Sequence, residues 1–256
     1  MKNKYLFLAV SCFALVLILF SCAREMNGST AIKVTGPVDI PQGSYPFNAA
    51  DHSVVPQNLA SSGYIEEEYF ISGKANVYDY DSAGKVIVKR ADAPYTTRML
   101  IRRPADKSRF SGNVVLELNN PTKLFDMDLQ WMFCREFFIE NGDIWVGITV
   151  KPVAVKALQK FNHERYKTLS MDNPAPEKER CEIKFSPLND TTPETENGLV
   201  WDIVSQAGAL LKSRDASNPI KDYSVEYLIA TGYSQTGGYL TTYINLIHPL
   251  DTAKTA

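Results

Sequence analysis

The chain has 256 residues, 45% hydrophobic and 22% charged, an ordinary globular composition with enough apolar material for one large domain or two small ones. A formal net charge of -2 with only three histidines provides neither a basic surface for nucleic acid nor an acidic tail. Nucleic-acid binding is therefore excluded from the expected functions.

Lys2 and Lys4 precede an apolar run over residues 5–20 that closes on Leu19-Phe20-Ser21-Cys22. A positive start followed by a short apolar core is the order of an export signal, and the run is too short for a comfortable membrane span. Ser21-Cys22 resembles the lipobox of bacterial lipoproteins, although Phe20 is bulkier than the usual neighbour. Residues 1–21 are thus expected to be a signal peptide, with Cys22 lipidated and the protein held by that anchor in the periplasm or at the cell surface. A plain cleaved signal and an uncleaved anchor helix stay open, and all three readings place the remainder outside the cytoplasm. Cys12 leaves with the signal, so Cys134 and Cys181 remain, either as a disulfide or as two buried thiols.

Residues 22–62 are polar and turn-rich, with Gly36-Pro37 and Pro41-Gln42-Gly43, and are expected to be a tether and an irregular lead-in. The domain is expected over residues 63–256. Segments 63–80 and 85–103 alternate in β-rich fashion around Asp81-Ser82-Ala83-Gly84 and predict an antiparallel hairpin. A calcium loop there fails, because Ala83 stands where an oxygen ligand is needed and Arg90 where the bidentate glutamate would be. No metal or cofactor is expected.

From residue 113 the pattern becomes strand, helix, strand, helix, strand, helix. Segments 113–118, 143–150 and 225–231 read as buried strands. Segment 128–141 predicts a helix with Leu129, Met132, Phe133, Phe137 and Phe138 on its apolar side and Gly142 as its C-cap. Helices are also predicted over 198–213 and 236–247. A polar, proline-bearing insertion at 151–197 is expected to behave like a cap. Phe161, Tyr166 and Phe185 in it either line a site or form its own small core. A hairpin leading into βαβαβα implies an α/β fold with a mainly parallel, doubly wound sheet.

Between the last strand and helix lies Gly232-Tyr233-Ser234-Gln235-Thr236-Gly237-Gly238. A serine on a sharp strand-to-helix turn exposes its hydroxyl above the carboxyl edge of the sheet, beside the positive end of a helix. Small residues are needed where strand and helix nearly touch. The match to G-x-S-x-G is imperfect, since Thr236 holds the second small position and glycine follows at Gly237. Ser234 is expected to be a nucleophile, against the simpler role of capping the helix. His248-Pro249-Leu250 closes the same segment.

This run, through Thr242-Tyr243-Ile244-Asn245 to Leu250, resembles a family of bacterial α/β-hydrolase domain proteins bearing G-x-S-Q-[ST] and a T-Y-x-N-x-x-H-P-L helix end. The resemblance extends to Gly112 through Glu117, Trp145 through Thr149, Arg165-Tyr166, Leu169-Ser170 and Trp201 through Gln206. It implies an α/β-hydrolase-like fold and an exported serine hydrolase acting on a small ester-like substrate. Its oxyanion hole would use the backbone N–H of Gln235 and a donor from the loop at Asn119 or Asn120. A polar turn with no catalytic donor is the other reading of that loop.

The order of a hydrolase triad is serine, acid, histidine, and only 22 of the 256 residues follow Ser234. His248 lies 14 residues beyond it, which along a helix is ~20 Å from the hydroxyl. His248 and Asp251 are therefore not expected to complete the triad, His163 is a weak alternative base, and His52 a surface residue. A final strand at 225–231 would leave an apolar edge, so the expected sheet is incomplete at its C-terminal side and the chain an N-terminal portion of a longer hydrolase. Two other functions stay open: a non-catalytic surface lipoprotein that binds through a hydrolase scaffold, and an acyltransferase. The sequence does not fix the oligomeric state.

Overall fold

A computed structural model describes residues 32–180 and 192–250. The signal segment, Cys22, Cys181, Phe185 and Asp251 lie outside the described residues. Cys134 has a free thiol and is partly buried.

Six strands form one mixed sheet: β1 (Lys33–Thr35), β2 (Tyr64–Tyr80), β3 (Val86–Pro104), β4 (Asn113–Leu118), β5 (Ile144–Ile148) and β6 (Tyr227–Gly232). Their spatial order is β1-β2-β3-β5-β4-β6. β1, β2, β3 and β5 pair antiparallel in sequence, while β4 pairs parallel with both β5 and β6. The long hairpin is where the alternating pattern predicts it, and Asp81 closes its turn by accepting from the N–H groups of Ala83 and Lys85. The lead-in is more ordered than expected: β1 adds an edge strand to β2, and Ala49, Ala50 and Leu59 are buried.

Helices cover both faces. On one lies α1 (Leu129–Asn141), on the other α2 (Pro152–Phe161), α4 (Val200–Lys212) and α5 (Gln235–Thr242), with the short α3 (His163–Tyr166) after α2. The alternation within β4 assigns the layers. Val115 joins Leu100, Trp145, Trp131 and Phe138 beneath α1, whereas Val114, Leu116 and Leu118 join Ile203, Ala207 and Leu211 of α4. α5 runs into a π-helical segment, Tyr243–Ile247, so the predicted final helix is present but locally widened.

The face of α1 differs from expectation. Trp131 and Phe138 are its buried side chains, while Met132, Phe133 and Phe137 point outward and are 47%, 65% and 62% exposed. Several apolar stripes run along this helix, and the one that turns inward carries the large Trp131 ring, which packs 5.5 Å from the Trp145 ring with Arg102 4.6 Å from the centre of each. Gly142 does cap α1, at φ 80°; a Cβ there would meet the Arg109 carbonyl oxygen at 1.9 Å.

The first half of the 151–197 insertion is core. Val155, Leu158, Tyr166, Leu169 and Met171 join the main apolar cluster, and Ser170 bridges to Thr96 of β3. Tyr166 therefore belongs to the core, its hydroxyl donating to Glu68 Oε1 at 2.8 Å and accepting from Phe47 N at 2.8 Å. Glu68 is fully buried and holds both Arg98 and Arg165, which ties β2, β3, α3 and the lead-in together.

Candidate functional site

The parallel register brings the carboxyl ends of β4, β5 and β6 to one edge, and the loops leaving them meet around a cavity of about 260 Å³. Ser234 and Gln235 come from the junction of β6 and α5, and Pro121, Thr122 and Leu124 from the loop after β4. Lys151 and Val153, after β5, complete the wall.

Ser234 sits at φ 53°, ψ -112°, a backbone conformation that non-glycine residues rarely adopt. It occupies the N-cap position of α5, yet its side chain makes no capping hydrogen bond. The turn is held instead by Thr236, whose hydroxyl accepts from Tyr233 N at 3.0 Å and donates to Tyr233 O at 3.1 Å. Thr236 is fully buried, so the second small position of the motif is a hydrogen-bonding strut. The glycine requirement falls on Gly232, where a Cβ would lie 2.6 Å from the Thr236 carbonyl. The backbone N–H of Gln235 opens α5 and has no acceptor among the described residues.

Asn119 and Asn120 form the neck of the neighbouring loop. Asn119 N donates to Ile148 O at 3.0 Å, and Asn120 N to Met127 O at 2.9 Å, with Met127 N returning to Asn120 O at 3.0 Å. Both backbone amides are thus committed. Asn120 contributes through its side chain, donating from Nδ2 to Tyr233 O at 2.6 Å while Oδ1 accepts from Thr122 N at 2.9 Å. It clamps the loop to the serine turn and leaves the Thr122 hydroxyl 3.5 Å from Gln235 Oε1.

Beneath the loop is Asp126, a fully buried carboxylate that sequence reasoning missed. Thr149 Oγ1 donates to its Oδ2, Arg98 Nη1 lies 3.7 Å from the same atom, and Asn48 Nδ2 donates to its carbonyl at 2.9 Å. Burial pushes the Asp126 carboxyl above its usual range, against the pull of Arg98 and of hydrogen bonds from Thr149 and Asn119. Glu117, one residue before the end of β4, was also missed. It accepts from Gln130 N at 2.8 Å, Trp131 N at 3.1 Å and Trp145 Nε1 at 2.8 Å, and so caps α1 from the sheet. Burial pushes it up to about 7, against those hydrogen bonds. In both cases the available signal was a carboxylate flanked by apolar residues.

All three histidines are described, and none lines the cavity. His52 stacks on Tyr45 with ring centres 3.6 Å apart, His163 is exposed at the start of α3, and His248 lies 5.7 Å from the Tyr243 ring at the far end of the last helix. Among the described residues no group of three His, Cys, Asp or Glu side chains gathers to hold a metal, and no helix is long and apolar enough to cross a membrane.

The sequence profile of a family described as an alpha/beta hydrolase domain matches residues 34–256. No curated protein and no solved structure matches the chain.

Proposed function

The chain belongs to the alpha/beta hydrolase domain family, and from that premise we propose that it carries acyl-transfer chemistry at Ser234, as a serine hydrolase of carboxylic-ester-like substrates. The backbone of Ser234 supports this most directly. A serine held at φ 53° between a strand and a helix, with its hydroxyl unused by the cap and facing a cavity, has no structural reason to store that strain; the strand, β6, is the sheet's edge in the described residues and is exposed rather than buried as expected. The cost, about 1–3 kcal/mol, is borne where it exposes a nucleophile. In the proposed reaction Ser234 Oγ attacks the acyl carbon. The Gln235 N–H and the positive end of α5 stabilise the oxyanion, the alkoxide leaves and takes up the serine proton through solvent, and water then releases the acyl group as the acid.

No imidazole stands beside Ser234 among the described residues, so turnover by these 256 residues is proposed to be slow, with acylation outrunning hydrolysis. That observation also favours a second reading, a non-catalytic protein that binds an ester-like ligand in the same cavity. Mixing the purified chain with a short-chain aryl ester separates them. A phenolate burst that disappears in Ser234→Ala supports the hydrolase reading, and no burst from folded protein favours the binding reading.

The proposal includes export and attachment at Cys22, supported by Lys2, Lys4, the apolar run and Ser21-Cys22. Incorporation of labelled fatty acid that is lost in Cys22→Ala supports it, whereas a cytoplasmic, unlipidated product opposes it.

A further inference from the structure

The reaction above gives the oxyanion one hydrogen-bond donor, the Gln235 N–H at the start of α5. An acyl-transfer site needs a second, and in a hydrolase fold it comes from a neighbouring loop at the same sheet edge. We infer that the second donor is the side-chain hydroxyl of Thr122 rather than a backbone amide. The inference rests on the reading of Ser234 as the nucleophile and concerns what holds the oxyanion once that serine attacks.

The amides of the loop after β4 are already committed. Pro121, Thr122 and Leu124 are its residues at the cavity wall. Pro121 has no N–H to donate. Thr122 N donates to Asn120 Oδ1 at 2.9 Å, and Leu124 N to Pro121 O at 2.8 Å. Closer to the strand, Asn119 N and Asn120 N are held by the carbonyls of Ile148 and Met127. The donor that these three wall residues can still turn toward a ligand is the Thr122 hydroxyl.

Its place relative to the serine is set by one side chain. Asn120 accepts from Thr122 N through Oδ1 and donates through Nδ2 to the carbonyl of Tyr233, the residue before the nucleophile. The loop and the serine turn are thereby fixed to each other at the point where both meet the cavity. Thr122 Oγ1 ends 3.5 Å from Gln235 Oε1, beside the residue whose N–H is the first donor. That separation is the outer limit of a hydrogen bond, so a negatively charged oxygen outcompetes the neutral amide for the proton. Thr122 is exposed and its hydroxyl has no other partner among the described residues. Substrate can therefore reach it, and removing it orphans no buried group.

The step balances as follows. Ser234 Oγ bonds to the acyl carbon, the carbonyl electron pair moves onto its oxygen, and that oxygen accepts from Gln235 N and Thr122 Oγ1. Collapse restores the carbonyl and expels the leaving oxygen with its bonding pair. The serine proton passes through solvent to the leaving group, and Thr122 keeps its own proton throughout.

The test follows single-turnover acylation of the full chain by p-nitrophenyl butyrate, read by intact mass over a range of ester concentrations. Thr122→Val keeps the shape and loses the hydroxyl. Its maximal acylation rate should fall about 10²-fold, the lower end of what one oxyanion donor contributes. The ester concentration giving half that rate should not move, because the bond is made in the transition state and not to the bound ester. Thr122→Ser, which returns the hydroxyl, should recover most of the lost rate, and thermal unfolding should be the same for all three proteins. An unaltered rate in Thr122→Val overturns the inference. So does a loss that appears only in the half-saturating concentration, or a Thr122→Ser protein as slow as Thr122→Val. Failure of the unmodified chain to acylate, with Ser234→Ala as control, strikes the nucleophile reading itself, and the inference falls with it.

Discussion

Gly232→Ala puts the geometry of the serine turn under direct strain. A Cβ at this position would lie 2.6 Å from both the carbonyl carbon and oxygen of Thr236 and 3.0 Å from Gly237 N, all backbone atoms that no side-chain rotation can move aside. Ordinary van der Waals contact begins near 3.4 Å, so β6 and α5 must separate by several tenths of an ångström. Overpacking of this kind costs about 1–3 kcal/mol. The displacement falls on the residues flanking Ser234, and a shift approaching 1 Å at a reacting group lowers rate by about 10²-fold. The Thr236 hydroxyl, which spans Tyr233 N and O, is strained by the same movement. Gly238→Ala is the matched control, because a Cβ there meets nothing within 4 Å. In a helix that change should be neutral or stabilising by up to about 1 kcal/mol. The assay is the second-order rate of serine phosphonylation by a fluorophosphonate, with thermal unfolding in parallel. Gly232→Ala should label about 10–100-fold more slowly while remaining folded, and Gly238→Ala should match the unmodified chain. A Gly232→Ala protein that labels at the unmodified rate would refute the argument that this contact sets the serine's position.

Glu117 predicts a pH effect. Its folded-state value near 7 exceeds the ordinary 4.5, so folding binds a proton between those values; the stabilisation is full below about 4.5 and is lost as pH rises through about 7, in total ~3 kcal/mol. Urea unfolding at pH 5 and pH 8 should show this component in the unmodified protein and lose it in Glu117→Gln; an unaltered pH slope would count against it. Asp126→Asn leaves Arg98 sharing Glu68 with Arg165 in a fully buried setting, which should cost about 3 kcal/mol or more. A shift in unfolding free energy below about 1 kcal/mol would contradict that. Phe133→Lys with Phe137→Lys removes two outward rings of α1 and should change stability by no more than about 0.5 kcal/mol each while lowering binding of a hydrophobic dye. A large loss of stability would mean that these rings pack in the fold.

The strand and helix pattern was legible because the apolar runs at β4, β5 and β6 are short and bounded, and the hairpin is β-rich on both sides of its Asp81-Ser82-Ala83-Gly84 turn. The serine turn was legible because its motif lies between such a run and a helix. The inward stripe of α1 was not, because periodicity records where apolar residues fall and not which stripe meets Arg102 and Trp145. Nor was the placement of Lys151, a lysine after a strand that the register of β5 against β4 brings to the wall of the cavity Ser234 also lines. The place of Asn119 and Asn120 after β4 leaves open an oxyanion donor or a plain polar turn. Their actual hydrogen bonds hold the loop, which depends on Met127 and Tyr233, residues 7 and 113 positions from Asn120.

The central claim is that Ser234 is a nucleophile, and locating the modified residue tests it most directly. After exposure of the folded protein to a fluorophosphonate and proteolysis, peptide mass mapping should place the phosphonyl group on Ser234, with loss of fluoride, and find it on no residue of Ser234→Ala. Unmodified Ser234 in folded protein, or equal labelling of the alanine variant, would contradict the claim.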